Sequence, residues 1–277
     1  MHTLYTTYPL SHPEEHTLTN SGVQIKREGR VLEITLDRPE AGNEISAGMF
    51  DLMLAAMADA ARDGLGVLRL RANGPVFCTG RERAGHDAVS IRQEVARLIA
   101  FKQAIRLSPL ITVAEVQGDA AGFGMGMAIL CDFTLVASTA TLSFPEMRKG
   151  LPPAAIMAYV GRHALPKHVF PLILLASDFT ASHAREIGLV TTVCPPETLA
   201  SSTEAVIQQI LAMDPDGARQ CKAYFQQALE DDVETNFRLA NELLTVESLR
   251  LRSRAAAPPV AAASRAGNGA TDAIPLS

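Results

Sequence analysis

The residues whose types and spacing best suit chemistry lie at 116–132, where the sequence reads VQGDAAGFGMGMAILCD. A largely β-branched run at 110–113 precedes them, and Gly122, Gly124 and Gly126 lead into an apolar run with the periodicity of a buried helix. A strand, a glycine turn and the start of a buried helix leave backbone N–H groups unpaired. Because glycine lets a ligand approach such groups closely, the pattern predicts a site for an oxygen that becomes negative during a reaction.

Two familiar phosphate-binding motifs do not account for these glycines. The dinucleotide fingerprint G-x-G-x-x-G would need glycine at position 127, where the sequence has Met127. A P-loop would need Gly-Lys-Ser or Gly-Lys-Thr after the glycines, and neither follows. Tight packing of a helix against a sheet is the alternative to a functional role for the glycines.

Composition narrows the class of protein. A chain of 277 residues that is 47% hydrophobic and 20% charged can bury a substantial core and is typical of a soluble globular protein. The net charge of −5, without a lysine- and arginine-rich block, argues against general nucleic-acid binding. No apolar run reaches the ~18 residues of a membrane span, and the N-terminal residues lack the pattern of a signal peptide. The four cysteines form neither C-x-x-C nor a ligand cluster, so we expect a cytoplasmic, metal-free protein.

Strand patterns are concentrated in the first half of the chain and helix patterns in the second. Strand-like residues at 23–28 and 31–37 flank a predicted hairpin turn at Gly29-Arg30, and Ser46 can cap the amphipathic helix that follows. Turn residues punctuate 73–82, which we expect to be a loop. Further strands are predicted at 67–70, 133–137 and 142–144, and helices at about 91–106, 167–176, 181–187, 197–213, 215–229 and 233–254. This order predicts an α/β core with a C-terminal helical portion.

Five motifs in sequence order resemble those of the crotonase (enoyl-CoA hydratase/isomerase) superfamily, over about residues 22–250. The segments DRPEAGNEI and VFCTGRE resemble the family's N-R-P-x-x-x-N-A-L turn and F-x-A-G-A-D loop, with Asp37 and Glu44 as departures. The central stretch VQGDAAGFGMGMAILCDFTLVA resembles V-N-G-x-A-x-G-G-G-x-E-L-A-x-x-C-D-x-x-x-A. Downstream, LSFPEMRKGLPP and ASHAREIGLVTTVCP resemble F-x-x-P-E-x-x-x-G-x-x-P and A-x-E-A-x-x-x-G-L-V-x-x-V-x-P. Each fragment alone is weakly specific, whereas five in order at natural spacing are strongly specific.

The resemblance implies a crotonase-like α/β fold, a spiral of ββα units with a C-terminal helical portion. It also implies that an acyl-CoA thioester is polarised through an enolate oxygen held by two backbone N–H groups. Carried over by position, these are the N–H groups of Arg81, after Gly80, and Phe123, after Gly122. The Phe123 side chain is expected to narrow the pocket or shape its acyl end. Coenzyme A is then part of the substrate, and no separate cofactor is expected.

Domain organisation and partners follow from the same resemblance and from composition. We expect an N-terminal arm at 1–20, a crotonase-like α/β core at 21–195 and a helical trimerisation region at 196–254. Residues 255–277 are rich in Ala, Pro, Gly and Ser and are predicted to be a disordered tail. The expected partners are an acyl-CoA thioester and further copies of the chain, as a homotrimer or hexamer, with neither nucleic acid nor membrane.

Two acidic positions bear on the reaction. Hydratases of the family carry two glutamates that hold the water, and the first of these positions is Gly126 here, whereas the second is Glu146. One carboxylate suffices to take a proton from C2 of a 3-enoyl-CoA and return it at C4, as in the family's enoyl-CoA isomerases. An apolar pocket would raise the pKa of such a base towards the working range. We therefore expect an isomerase with Glu146 as its base. The alternatives are hydration, hydratase-lyase cleavage, decarboxylation or thioester hydrolysis of an unusual acyl-CoA, and non-catalytic CoA binding.

Other polar side chains have weaker claims to a role. Arg38 and Arg83 are candidates for binding the phosphates of coenzyme A, although loop arginines are usually solvated. Glu82 is expected to be structural, and His86 to be an ordinary loop histidine. Cys78, like Cys131, is better explained as a small buried hydrophobic residue than as a nucleophile, because no histidine partner is near it in sequence.

Overall fold

The computed structural model describes residues 17–20 and 22–256. Of the predicted N-terminal arm only 17–20 fall among them, and the predicted disordered tail lies outside them from residue 257 onward. Within the described part of the chain, the residues up to Ala223 form one compact unit and those from Tyr224 form a second.

Strands and helices alternate along the chain as far as β11, and only helices follow this last strand among the described residues. The strands are β1 Thr17–Asn20, β2 Val23–Glu28, β3 Val31–Leu36, β4 Val67–Ala72, β5 Val76–Cys78, β6 Ile111–Val116, β7 Asp119–Ala121, β8 Phe133–Ala137, β9 Thr141–Ser143, β10 Asp178–Thr180 and β11 Thr192–Cys194. The α-helices are α1 Ala47–Arg62, α2 Ala88–Arg106, α3 Phe123–Ile129, α4 Ala154–Met157, α5 Pro166–Leu174, α6 Ala181–Glu186, α7 Leu199–Leu211, α8 Pro215–Ala228 and α9 Val233–Ala256.

The described strands form two sheets. One has seven strands in the order β1-β2-β3-β4-β6-β8-β11, and the other has four in the order β10-β9-β7-β5. Pairs of consecutive strands, β4 with β5, β6 with β7 and β8 with β9, each contribute one strand to each sheet, and a helix follows each of the first two pairs. This repeat confirms the predicted spiral of ββα units.

Local sequence explains how several of these elements begin. β2 and β3 pair antiparallel across Gly29, which has a φ of 54° that glycine adopts without strain. Ser46 caps α1 as predicted, since its hydroxyl accepts a hydrogen bond from the N–H of Met49 at 3.3 Å. The helix α2 begins earlier than the expected residue 91, because the carboxylate of Asp87 caps the N–H groups of Val89 and Ser90.

Apart from β9, which overlaps the strand predicted at 142–144, sequence patterns did not predict the four-stranded sheet. Residues 73–82 were expected to be a loop, and that expectation is wrong for β5, which pairs parallel with β7. The strand β7 in turn pairs parallel with β9. Strands of three residues are too short to show alternation of apolar and polar side chains, so their pairing partners define them. Because β5, β7 and β9 run parallel, their carboxyl ends meet at one edge of the sheet.

A large apolar core positions this edge. Buried side chains from both sheets, α1, α2 and α3 form one contiguous cluster, in which Phe77 and Phe144 are fully buried directly beside the ends of β5 and β9. In the second unit, the Tyr224 hydroxyl donates to the Asn236 carbonyl at 2.8 Å, which holds the end of α8 to α9. None of the described helices is both long enough and apolar enough to cross a membrane.

Candidate active site

The first predicted donor, the N–H of Arg81, lies just beyond β5. Ile45 forms a parallel bridge with Arg81, in which the Ile45 N–H donates to the Gly80 carbonyl at 3.2 Å and the Glu82 N–H donates to the Ile45 carbonyl at 3.0 Å. Successive N–H groups of an extended chain point in opposite directions, so the Arg81 N–H faces away from Ile45. Among the described residues it has no acceptor. A β-carbon on Gly80 would lie 3.9 Å from Oε1 of Glu44, so this carboxylate lies near the predicted donor.

The second predicted donor, the N–H of Phe123, begins α3 directly after β7. Gly122 has φ 51° and ψ −113°, and its own N–H donates to the Ser143 carbonyl at 3.0 Å. The first intrahelical hydrogen bond of α3 runs from the Gly126 N–H to the Gly122 carbonyl at 2.9 Å. The N–H of Phe123 therefore lies in the first helical turn, where no acceptor exists within the helix. No acceptor for it occurs elsewhere in the described part of the chain.

Glu146 follows β9, in the 3-10 turn Pro145–Lys149, and its carboxylate lies against Gly122. A β-carbon on Gly122 would be 2.9 Å from Oε1 of Glu146, which is closer than such atoms approach in real structures. Glycine at 122 therefore serves two needs, its positive φ and the space for this carboxylate. The other oxygen, Oε2, is buried and has no hydrogen-bond partner among the described residues. Burial raises the pKa of Glu146 above that of a free glutamate, and the charge of Lys102 opposes this shift.

The three predicted groups thus come together at one edge of the four-stranded sheet. The N–H of Arg81, the N–H of Phe123 and the carboxylate of Glu146 each follow the carboxyl end of one of three neighbouring parallel strands. Two unpaired N–H groups beside a half-buried carboxylate can hold a negatively charged oxygen and exchange a proton close to it.

Position 126, where the family's two-glutamate hydratases carry their first acid, is filled from elsewhere in the chain. A β-carbon on Gly126 would lie 2.5 Å from Lys102 Nζ and 2.6 Å from Tyr159 Oη. Lys102 donates a hydrogen bond to Tyr159 Oη at 2.7 Å, and the Tyr159 hydroxyl donates to the Gly126 carbonyl at 2.7 Å. Lys102 is 5% exposed and Tyr159 is 8% exposed. Burial lowers the pKa of Lys102 to about 7, against the opposing charge of Glu146.

Sequence reasoning gave no functional role to either Lys102 or Tyr159. A signal for Lys102 was present in α2, because the buried residues of that helix are Leu98, Phe101, Lys102 and Ile105. These positions follow the spacing i, i+3, i+4 and i+7 of a core-facing stripe, so the sequence places Lys102 on the side of the helix that faces the core. Tyr159 offered no comparable signal, since a tyrosine is compatible with packing as well as with hydrogen bonding.

The aromatic ring of Phe123 packs into the core. It lies 5.2 Å from the ring of Phe50 in an edge-to-face arrangement and 6.1 Å from the ring of Phe101. The ammonium of Lys102 is 5.0 Å from the centroid of Phe123 and 5.0 Å from that of Tyr159. Two aromatic rings therefore stabilise the charged form of a lysine that burial disfavours.

The arginines proposed for coenzyme A already have partners or lie in solvent. Arg38 donates to Glu82 Oε1 at 2.6 Å and to the Glu44 carbonyl at 3.2 Å. The side chain of Arg81 contacts Glu94 Oε2 at 3.2 Å, which leaves its backbone N–H free to act separately. Arg83 is exposed, and its charge lowers the pKa of Glu146 slightly against the effect of burial.

Two buried cysteines, Cys78 and Cys131, are poorly suited to act as nucleophiles. Burial raises the pKa of Cys78 to about 12, and its thiol donates to the Gly80 carbonyl at 3.3 Å. Burial likewise raises the pKa of Cys131 to about 12. Both thiols therefore stay protonated near neutral pH. No group of His, Cys, Asp and Glu side chains within the described residues is arranged to hold a metal ion.

Comparison with known proteins places the chain in a family. Residues 26–251 match the family model described as enoyl-CoA hydratase/isomerase. The enoyl-CoA isomerase/hydratase fer4 of Mycosarcoma maydis is 28% identical over 213 residues, which cover 69% of this chain and 75% of that protein. The putative enoyl-CoA hydratase/isomerase YngF of Bacillus subtilis (strain 168) is 28% identical over 221 residues, covering 76% of this chain and 83% of that protein.

Solved structures agree with the family match. An enoyl-CoA hydratase from Mycobacterium smegmatis superposes with a TM-score of 0.79 at 25% identity, covering 82% of this chain and 91% of that chain. The human enoyl coenzyme A hydratase domain-containing protein 3 has the same fold, with a TM-score of 0.78 at 22% identity over 84% of this chain and 93% of that chain. With the family model matched along most of its length, this chain belongs to the enoyl-CoA hydratase/isomerase family of the crotonase superfamily.

Proposed function

We propose that this enzyme is an enoyl-CoA isomerase, which moves the double bond of a 3-enoyl-CoA thioester to the 2-position. The observation that carries the proposal is the single carboxylate beside the second predicted donor. Glu146 Oε1 lies close to Gly122. At position 126 the residue is glycine, and Lys102 and Tyr159 fill the space that the side chain of a second acid would need. The chain therefore lacks one of the two acids that a two-glutamate hydratase uses to hold the water.

In the proposed reaction, the thioester oxygen accepts hydrogen bonds from the N–H groups of Arg81 and Phe123. Glu146 removes a proton from C2, and the electrons of that C–H bond form a dienolate whose negative charge rests on the held oxygen. The same carboxyl group returns the proton at C4, so the C3=C4 bond becomes C2=C3 and no atom is gained or lost. Donors that are fixed before the reaction stabilise the developing charge, and loss of one such hydrogen bond typically raises the barrier by ~3–4 kcal/mol.

The environment of Glu146 supports a base of this kind. A half-buried carboxyl with one unpartnered oxygen and a raised pKa holds a proton more readily than an exposed glutamate does. A base that must take a proton from carbon and then release it works best when its pKa lies near the working pH. The activity should therefore rise with pH as Glu146 loses its proton, above the range in which exposed glutamates titrate.

The test is turnover of a 3-enoyl-CoA by the wild type and by Glu146→Gln. Conversion to the 2-enoyl ester leaves the mass unchanged and creates a conjugated thioester that absorbs in the ultraviolet. We expect Glu146→Gln to reduce kcat by roughly 10²–10⁴-fold, because the amide cannot accept the proton. Glu197→Gln, at an exposed glutamate distant in sequence from the site, is the matched control and should keep the wild-type rate.

Three results would contradict the proposal. Equal turnover by wild type and Glu146→Gln would remove this carboxylate from the reaction. Efficient addition of water to a 2-enoyl-CoA, seen as a gain of one water mass, would establish hydration, with Lys102 or Tyr159 replacing the missing acid. Binding of acyl-CoA esters without turnover of any 3-enoyl or 2-enoyl ester would indicate a binding protein.

A further inference from the structure

Lys102 is a buried lysine near the proposed base, and the isomerisation of a simple enoyl chain gives it no role. Lys102 Nζ and Tyr159 Oη converge on Gly126 from residues 24 and 33 positions away in the sequence. Any side chain at 126 would collide with them. Glycine at this position therefore makes room for a polar pair, and does more than remove the acid of the two-glutamate hydratases.

The ammonium of Lys102 has unused hydrogen-bonding capacity. It can donate three hydrogen bonds, and Tyr159 Oη is the one acceptor it meets among the described residues. Glu146 influences it electrostatically, but no carboxylate in the described part of the chain forms an ion pair with it. Burying a cation without a partnered anion is costly, and the lowered pKa of Lys102 expresses that cost. An anion that entered with a substrate would supply the missing partner.

We propose that Lys102 binds a carboxylate carried on the acyl chain, so that the substrate is the CoA thioester of a short dicarboxylic enoic acid. This inference rests on the proposed function of the same site. Gly122, the N-cap residue of α3 at the proposed donor and base, and Gly126, within α3 at Lys102, are four residues apart, which is about one helical turn or ~5–6 Å. A short acyl chain spans such a distance. One end is held by the N–H of Phe123 and the other by Lys102, with Glu146 beside the carbons between them.

Surrounding side chains suit this division of the site. Phe123 and Tyr159 place aromatic rings 5.0 Å from the ammonium, and Ile156 Cγ1 would lie 3.0 Å from a β-carbon on Gly126. These groups make the surroundings of the ammonium apolar, while the remaining N–H groups of Lys102 can donate to a carboxylate at the end of a short acyl chain. An unsubstituted alkyl chain would leave those donors unpaired, so the pair should favour the acidic ester.

Binding of two saturated esters tests the inference without relying on turnover. Glutaryl-CoA carries a terminal carboxylate, and 5-methylhexanoyl-CoA carries two methyl groups in place of the carboxylate oxygens. Calorimetric titration gives the ratio of the two dissociation constants. The selectivity is the dissociation constant of 5-methylhexanoyl-CoA divided by that of glutaryl-CoA. Replacing Lys102 by Met removes the charge at similar volume. We expect this ratio to fall by about 10- to 100-fold, because a buried charge-assisted hydrogen bond to the carboxylate is lost.

Two further variants separate recognition from packing. Lys102→Gln removes the charge but keeps an amide that can hydrogen-bond with Tyr159 Oη, so it should lose selectivity like Lys102→Met even if the latter is unstable. Lys167→Met, at an exposed lysine of α5, is the control and should keep the wild-type ratio. A ratio within about threefold of wild type in both Lys102 variants, or a wild type that prefers the neutral ester, would overturn the inference. The ratio of dissociation constants can be measured even if the isomerase assay shows no turnover, so the two proposals can fail separately.

Discussion

Adding one methyl group at position 126 tests the description of the site most directly. In Gly126→Ala the new β-carbon would meet Lys102 Nζ at 2.5 Å, Tyr159 Oη at 2.6 Å and Ile156 Cγ1 at 3.0 Å. At least two of these atoms must move, and both polar atoms are fixed by their mutual hydrogen bond and by burial. Forcing an extra carbon into a packed region typically destabilises a protein by ~1–3 kcal/mol.

The matched control is Gly48→Ala. Gly48 lies in α1, and a β-carbon there would meet nothing within 4 Å. Both substitutions replace a helical glycine by alanine, so the gain in helix propensity of up to ~1 kcal/mol is to first order common to them. We therefore expect the free energy of unfolding of Gly126→Ala to be about 1–3 kcal/mol lower than that of Gly48→Ala, measured by urea denaturation followed by circular dichroism.

A double-mutant cycle identifies the source of that difference. Tyr159→Phe removes the hydroxyl from the space that the added methyl group needs, so Gly126→Ala should cost less in this background, with a coupling of roughly 0.5–1.5 kcal/mol. Two results would refute the reasoning: equal stability of Gly126→Ala and Gly48→Ala, or the same cost of Gly126→Ala with and without the Tyr159 hydroxyl.

Two other outcomes follow from the buried polar groups. The pKa of Lys102 falls from 10.5 to about 7 on folding, so the unfolded chain binds the extra proton between these values. The free energy of unfolding of wild type should therefore increase relative to Lys102→Met from pH 7 to 9, by up to ~1.4 kcal/mol per pH unit; a constant difference would contradict the shift. Asn43 is fully buried and hydrogen-bonds the Arg38 N–H and the Asn73 and Val76 carbonyls. Asn43→Ala should lower the unfolding free energy by about 2–4 kcal/mol, whereas exposed Asn241→Ala should change it little; equal effects would contradict this role.

Much of the main sheet and its helices could be predicted because their signals are local. Alternation and a glycine turn predicted β2 and β3, and a serine cap with apolar spacing predicted α1. Each of these features depends on residues within a few positions of one another, so a single sequence contains them in full. The three-residue strands β5 and β7 have no such pattern, and they exist because their backbones pair with each other.

The candidate site likewise has features that the sequence predicts and features that only the tertiary structure reveals. The sequence by itself, through motifs that resemble those of the crotonase superfamily, predicted roles for the glycines at 80 and 122 and the carboxylate at 146, because each motif is contained in a short segment of the chain. Only the tertiary structure decided that these groups meet at one sheet edge, since the parallel pairing of β5, β7 and β9 brings the three strand ends together. Tertiary structure alone also decided that Lys102 and Tyr159, 57 residues apart, fill the space at Gly126. Their contact depends on how separate helices pack, and no local pattern encodes that packing.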